Sequence, residues 1–329
     1  MTVLDSPRPL LFIRPRPTVT LWAGLLIILV CEALLFTDVY LSRRGSLKSH
    51  SEIQALKVNS PPTTSIGRAA RYMAVNMTAI VWVGYLLFIE GILAAQGDSP
   101  IRRRPHHFFL LALTSIFIWC VFDWINFYFI RAWRYIGFPV EFQRRFFGYF
   151  LAFATIVPGM LMSGQVLLNL GLFNWARSPA YRIPRWAKVV SLIVGMAMFV
   201  WPLVHRDPIT NLTLWCSLVF LLDPLNLKLG RPSMFGDWQR GWYGRTLAAF
   251  AGGLICGLLW EFWNYWALAK WTYHLPFLGP AEHYRYFEMP IIGLLGFLPF
   301  GIECWIMWQM IRIPLDGLAE ELPDDRKLI

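Results

Sequence analysis

Two segments of this chain carry a carboxylic acid, an amide and two aromatics at matching intervals. In FDWINFYFIRAWRY (residues 122–135), Asp123, Asn126, Trp133 and Tyr135 have the same spacing as Glu261, Asn264, Trp271 and Tyr273 in WEFWNYWALAKWTY (residues 260–273). The correspondence extends upstream: Glu90 stands seven residues before Gly97, as Asp223 stands seven before Gly230. Downstream, Phe146 and Pro158 are separated as Phe287 and Pro299 are. Glu32 and Glu303 are further acids inside apolar runs. An ionised acid at the centre of a bilayer costs about 2.5–3.5 kcal/mol on an insertion scale, so one that is kept there marks function by default. The alternative is that protonated acids hydrogen-bond neighbouring helices together.

A carboxylic acid in apolar surroundings favours its proton-bearing form. Such a group can protonate a carbon–carbon double bond, and a second carboxylate can take the proton back or activate water. Aromatic faces stabilise the intervening carbocation. Glu90, Asp123, Asp223, Glu261 and Glu303 are therefore the candidate catalytic groups, and Asn126, Trp133, Tyr135, Asn264, Trp271 and Tyr273 the candidate substrate-binding ones.

The elements that must position these residues are transmembrane helices. The 329 residues are 57% hydrophobic and 15% charged, with a mean hydropathy of +0.47, outside the range of soluble domains. The net charge of +10 is spread over loops beside apolar runs, which suits anionic lipid head groups better than a nucleic acid, so no nucleic-acid partner is expected. All five cysteines fall in apolar runs, so no disulfide framework is expected. Runs of about 20 apolar residues cross a bilayer. Eight are predicted, over Val19–Leu41, Ala74–Gln96, His107–Ile130, Phe146–Phe173, Ala187–His205, Asn211–Leu229, Thr246–Ala269 and Pro290–Ile311.

The resulting fold is an all-α integral membrane protein of two parallel four-helix repeats, residues 19–173 and 187–312, with shared sites expected between the halves. Residues 1–18 form a basic, proline-rich segment, 42–72 a flexible loop, 174–186 a connection and 313–329 an acidic, solvated tail. The first span reads as retained rather than as a cleaved signal. The bias of Lys and Arg toward the loops on the terminal side predicts cytoplasmic termini in the cell membrane. A continuous seventh helix would put Glu261, Asn264, Leu268 and Trp271 on one stripe with Gly253 and Gly257, facing the bundle interior. Trp263 and Trp266 would point to lipid or another helix, and Gly293, Gly296 and Glu303 would share a side of the eighth. The Gly-, Trp- and Arg-rich loop at 230–245 is a candidate lid over a chamber built around Glu90, Asp123, Asn126, Asp223, Glu261, Asn264 and Glu303.

The duplicated acids, the Trp-x-Tyr pairs and FEMPIIGLLGFLPFGIE (residues 287–303) resemble the integral-membrane carotenoid enzymes, namely the heterodimer-type lycopene cyclase domains and the carotenoid hydratases. Where those cyclase domains carry Pro-x-Glu-Glu, this chain has Glu288-Met-Pro290 and a separate Glu303. The resemblance implies cyclisation or hydration of a polyene, an apolar lipid, with no cofactor. A proton-coupled transporter or lipid flippase, and a non-catalytic scaffold, are the alternatives. His106, His107, His205, His274 and His283 form none of the clusters that di-iron membrane oxygenases need, and Asp123-x-x-Asn126 is a poor match to a magnesium–diphosphate motif, so no metal is expected. The sequence leaves the oligomeric state open.

Overall fold

The computed structural model describes residues 18–316 and 327–329. Among the described residues, eight helical segments are long and apolar enough to cross a membrane, and the protein has the build of a multi-pass, all-α membrane protein. The first is α1 (Val19–Ser42), capped by Thr18, whose side chain accepts from the Leu21 amide. The stretch expected to be a flexible loop at 42–72 is mostly ordered helix. Ser49 and Glu52 form a reciprocal capping box that starts α2 (His50–Asn59), and Thr64 caps α3 (Ser65–Ala95), which begins nine residues before the predicted span. The short α4 (Pro100–Arg103) leads into α5 (Pro105–Ile125), which a wider turn extends through Asn126–Ile130.

After the first strand, β1 (Trp133–Ile136), the fourth span consists of α6 (Phe142–Ala154) and α7 (Ile156–Asn169), joined at Thr155. Pro158 sits in the first turn of α7, where its missing N–H has no helical acceptor to serve. The second half contains α8 (Arg185–Val204), α9 (Asn211–Lys228), α10 (Met234–Gln239) and α11 (Gly244–Trp266). Then come β2 (Lys270–Tyr273), the two-residue strands β3 (Arg285–Tyr286) and β4 (Met289–Pro290), α12 (Phe297–Ile311) and α13 (Ile313–Asp316).

The seventh helix stops at Trp266, and Ala267 is extended, so Leu268 and Trp271 do not continue the Glu261–Asn264 stripe as helical neighbours. The glycines of that stripe do face the interior. A Cβ on Gly253 would lie 2.1 Å from the Phe297 carbonyl oxygen, which is how closely α11 and α12 approach. α7 packs on α11 as well, α1 lies along α3, and α8 lies along α9. Trp263 and Trp266 meet other helices rather than lipid: Trp263 packs on Trp82 and Tyr85, and Trp266 on Phe36. Of the expected solvated tail, residues 317–326 lie outside the described ones. Leu328, by contrast, is buried among the helices, with its amide donating to Gln165 Oε1 at 2.8 Å.

Because the spans alternate in direction, α3, α6, α9 and α12 all start on the face where α5 and α11 end. That far face lies opposite the one where α1 starts.

Candidate functional site

The local chemistry of two asparagines builds the site. Beyond the turn that ends α5, Arg131 takes a left-handed conformation (φ 58°) and the chain folds back over Asn126. Asn126 Oδ1 accepts from the Ala132 and Trp133 amides at 2.9 and 3.1 Å, and its Nδ2 donates to the Trp133 carbonyl at 2.8 Å. Asn264 repeats the construction, accepting from the Trp271 amide and donating to the Trp271 carbonyl, both at 2.9 Å. Both asparagines are fully buried. The returning segments are β1 and β2, which pair antiparallel as Trp133↔Tyr273, Arg134↔Thr272, Tyr135↔Trp271 and Ile136↔Lys270. Each Trp of one segment thus lies opposite the Tyr of the other. Gly137, with φ at +74°, lets β1 leave against the backbone that leads into β2; a Cβ there would fall 1.9 Å from the Leu268 carbonyl oxygen.

The acids sit behind this ribbon. Asp123 Oδ1 accepts from Trp133 Nε1 at 3.0 Å and from the Tyr135 hydroxyl at 2.9 Å. Glu261 Oε1 accepts from the Tyr273 hydroxyl at 2.7 Å, and Tyr273 in turn accepts from Trp271 Nε1 at 2.8 Å. Glu261 Oε2 is buried without a hydrogen-bond partner among the described residues.

In front of the ribbon lies a cavity of about 410 Å³, lined by Trp133, Tyr135, Trp271 and Tyr273 together with Trp119, Tyr149, Trp215, Phe297 and Phe300. This is the size of pocket that holds one small ligand. Trp215 forms a wall, 4.9 Å from Phe300, 6.0 Å from Trp133 and 6.4 Å from Trp119 between ring centroids. Polar groups are few: Asn76, Thr78, Arg144, Arg145 and Asn211. Lining residues drawn from the starts of α3, α6, α9 and α12 and the end of α5 put the cavity in the far half of the bundle. The exposed Leu212, Ile292 and Leu295 also line it, so it opens sideways through the apolar surface.

The other predicted acids do not join this chamber. Asp223 lies toward the end of α9, twelve residues beyond Asn211 and so roughly 18 Å further along the axis. Its two oxygens accept from the Met234 and Phe235 amides at 2.6 and 2.8 Å, which fixes the start of α10. Glu90 has the matching task near the end of α3, where it accepts from Ser99, the residue that caps α4. The loop at 230–245 is accordingly an anchored element of the near face and does not cover the cavity. Glu303 sits one turn beyond Phe300 on α12, with Oε1 accepting from the Leu218 amide at 3.1 Å, and it faces α9. Asp123, Asn126, Glu261, Asn264 and the four ribbon aromatics are brought together; Glu90, Asp223 and Glu303 are not part of that group.

Sequence reasoning missed the ribbon itself, whose only signals were the aromatic and β-branched residues of WRYI and KWTY. It also missed Trp119, Trp215 and Phe300 as walls, and two buried ionic contacts beside the ribbon. Lys270 Nζ donates to Glu288 Oε1 at 2.6 Å with both residues buried, and burial lowers the lysine amine below its ordinary value. Asp38, an acid within the first span, meets Arg71 at 2.7 Å and Arg44 at 3.4 Å, so a basic side chain does reach an acid of a span. Arg44 also donates to the Trp266 carbonyl at 2.6 Å, satisfying the last turn of α11. Among the described residues, no group of three or more His, Cys, Asp or Glu could hold a metal ion. Comparison of the chain with protein families, with curated proteins and with solved structures found no match.

The arrangement can move protons. Each carboxyl group touches a tyrosine hydroxyl whose ring forms part of the cavity wall, so a proton can pass between acid and cavity without exposing the acid.

Proposed function

We propose that the protein is a membrane enzyme that acts on an apolar isoprenoid or polyene lipid by acid–base chemistry through a carbocation, of the kind the carotenoid cyclases and hydratases use. The observation that carries this reading is the pair of acid–tyrosine contacts, Asp123 with Tyr135 and Glu261 with Tyr273, behind an otherwise aromatic cavity. In the reaction, Tyr273 gives its hydroxyl proton to one carbon of a substrate double bond and regains a proton from Glu261, leaving a cation on the other carbon. Trp133, Trp215 and Trp271 face that cation. The cation closes on a second double bond or takes up water, and the proton then released passes through Tyr135 to Asp123. No electrons are gained or lost, so no redox partner is needed; each turnover leaves Asp123 with the proton that Glu261 gave up, and its return from Asp123 to Glu261 through Tyr135 and Tyr273 closes the cycle. Tyr135 and Tyr273 are the groups that meet substrate, and Asp123 and Glu261 act through them.

The same reading treats the two halves as copies of one four-span unit. Supporting this, Trp82 stands eight residues before Glu90 and packs on Trp260, while Trp215 stands eight before Asp223 and packs on Phe122, at centroid distances of 4.9 and 5.3 Å. Trp260 and Phe122 are themselves equivalent positions in the two matched segments. Close packing of α7, α11 and α12 on the near side of the cavity favours an enzyme over a carrier, which needs access from both faces.

The test compares lipid extracts of cells expressing the protein, its Glu261→Gln and Asp123→Asn variants, or none. The expected result is an isoprenoid product present only with the unaltered chain, lowered about 10²-fold or more by either variant. Unchanged extracts, together with lipid flux driven by a pH gradient in vesicles, would overturn the enzyme reading in favour of a transporter.

A further inference from the structure

The charged residues of the cavity wall are Arg144 and Arg145, side by side near the start of α6; its other polar residues, such as Asn76, Thr78 and Asn211, are neutral. Neither guanidinium has a hydrogen-bonded or ion-paired partner among the described residues. Of the neighbouring arginines, Arg44 is held by Asp38 and the Trp266 carbonyl and Arg285 by Glu282 and the Glu288 carbonyl, while the exposed Arg131 and Arg134 do not line the cavity. Glu141 precedes the first turn of α6 but is ion-paired with neither arginine, and a cation in that turn gains nothing from the helix dipole. Arg145 lies close to Tyr149, whose ring stacks on Phe138 and meets Tyr135. A continuous wall therefore runs from the two charges to the ribbon.

We propose that the cavity takes a single-chain lipid bearing a phosphate monoester head group, with the phosphate held by Arg144 and Arg145 and the chain among the aromatic rings. This rests on the reading of the cavity as a lipid site and adds the head group that orients the lipid in it. Two guanidinium groups match the charge of about −1.5 to −2 on a phosphate monoester, and their paired N–H donors suit its oxygens. The exposed Leu212, Ile292 and Leu295 at the opening allow such a lipid to enter from the leaflet, with its head group at the depth of α6's first turn. Anchoring the phosphate at one edge fixes which carbons of the chain reach Tyr135 and Tyr273, a role a wholly apolar wall could not perform.

The experiment uses the full chain in phosphatidylcholine nanodiscs and reads tryptophan fluorescence during titration with farnesyl phosphate, farnesol or inorganic phosphate. Farnesyl phosphate is expected to bind about tenfold or more tightly than farnesol, with no saturable signal from inorganic phosphate. The double variant Arg144→Gln, Arg145→Gln should erase that advantage and leave farnesol binding unchanged, while Arg144→Lys, Arg145→Lys should retain part of it. Equal affinities for the alcohol and the phosphate, or an advantage that survives the glutamine variant, would overturn the proposal and leave the arginines to bilayer head groups. Saturable binding of inorganic phosphate at the same strength would overturn it in favour of a free-anion site. If farnesol itself fails to bind, or binds unaltered after Trp215→Ala, the lipid-site reading fails first and the head-group proposal with it.

Discussion

Replacing Asn264 by alanine removes the group that folds the chain back after α11 and leaves the Trp271 amide and carbonyl without their partners. Asn264 itself has no exposed surface, and its two contacts with the Trp271 backbone are partly buried. An unsatisfied buried donor or acceptor costs about 1–3 kcal/mol, so the pair costs about 2–6 kcal/mol. At about 2 °C per kcal/mol for a chain of this size, the thermal midpoint in detergent should fall by roughly 4–12 °C. Asn264→Asp keeps the acceptor and loses the donation to the carbonyl, so it should lose one contact rather than two. It also places a second carboxyl group one turn from Glu261, which separates it from the alanine variant by a dependence on pH that alanine lacks. Asn126→Ala removes three contacts on the partner strand, and because the two strands form one ribbon, the double variant should cost less than the sum of the singles. Tryptophan fluorescence should shift along with the midpoint, since Trp271 and Trp133 lose their anchors. A midpoint and spectrum like those of the unaltered protein in Asn264→Ala would refute the claim that this amide holds the ribbon.

Gly137→Ala should abolish the folded yield in membranes, measured as monodisperse protein after extraction, because its Cβ would sit 1.9 Å from the Leu268 carbonyl oxygen at a φ of +74°; normal yield would show that the ribbon can move aside. Lys270→Met leaves Glu288 buried and unpaired and should destabilise the protein by about 3–5 kcal/mol, whereas Lys270→Met with Glu288→Leu should recover most of it. Equal thermal midpoints for the single and double variants would count against a desolvated pair. Burial, together with the nearby Arg71 guanidinium, lowers the Lys57 amine from 10.5 to about 8, so it should acylate half-maximally near pH 8. Since the unfolded chain binds the extra proton between those values, this group makes the fold more stable as pH rises from about 8 toward 10.5. Half-maximal labelling near 10.5 would remove the claim.

Much of the architecture was legible from composition and spacing alone. Runs of apolar residues as long as a bilayer is thick have few other stable solutions, so eight spans and an all-α membrane fold follow from length and hydropathy. The spacing of Asp123, Asn126, Trp133 and Tyr135 against Glu261, Asn264, Trp271 and Tyr273 picked out the residues that meet at the ribbon, because a local hydrogen-bonded return depends on residues close in sequence. Helix periodicity misplaced the end of α11: Ala267, Leu268 and Ala269 are as apolar as the helix before them, and only the Asn264 contacts reveal that the backbone turns there. The capping pair Ser49 and Glu52 was a sequence signal for α2 that hydropathy concealed.

What the tertiary structure alone decided is which acids keep company. Glu90, Asp123, Asp223, Glu261 and Glu303 look alike in sequence, since each is a carboxyl group in an apolar run. Alternation of span direction sends Asp123 and Glu261 to one end of the bundle and Glu90 and Asp223 to the other, where the latter two hold short helices in place. The pairing of β1 with β2 then joins segments more than a hundred residues apart, and Trp215 and Phe300 close the wall from helices of their own. A sequence lists groups that can carry protons, but long-range packing determines which of them face a common space.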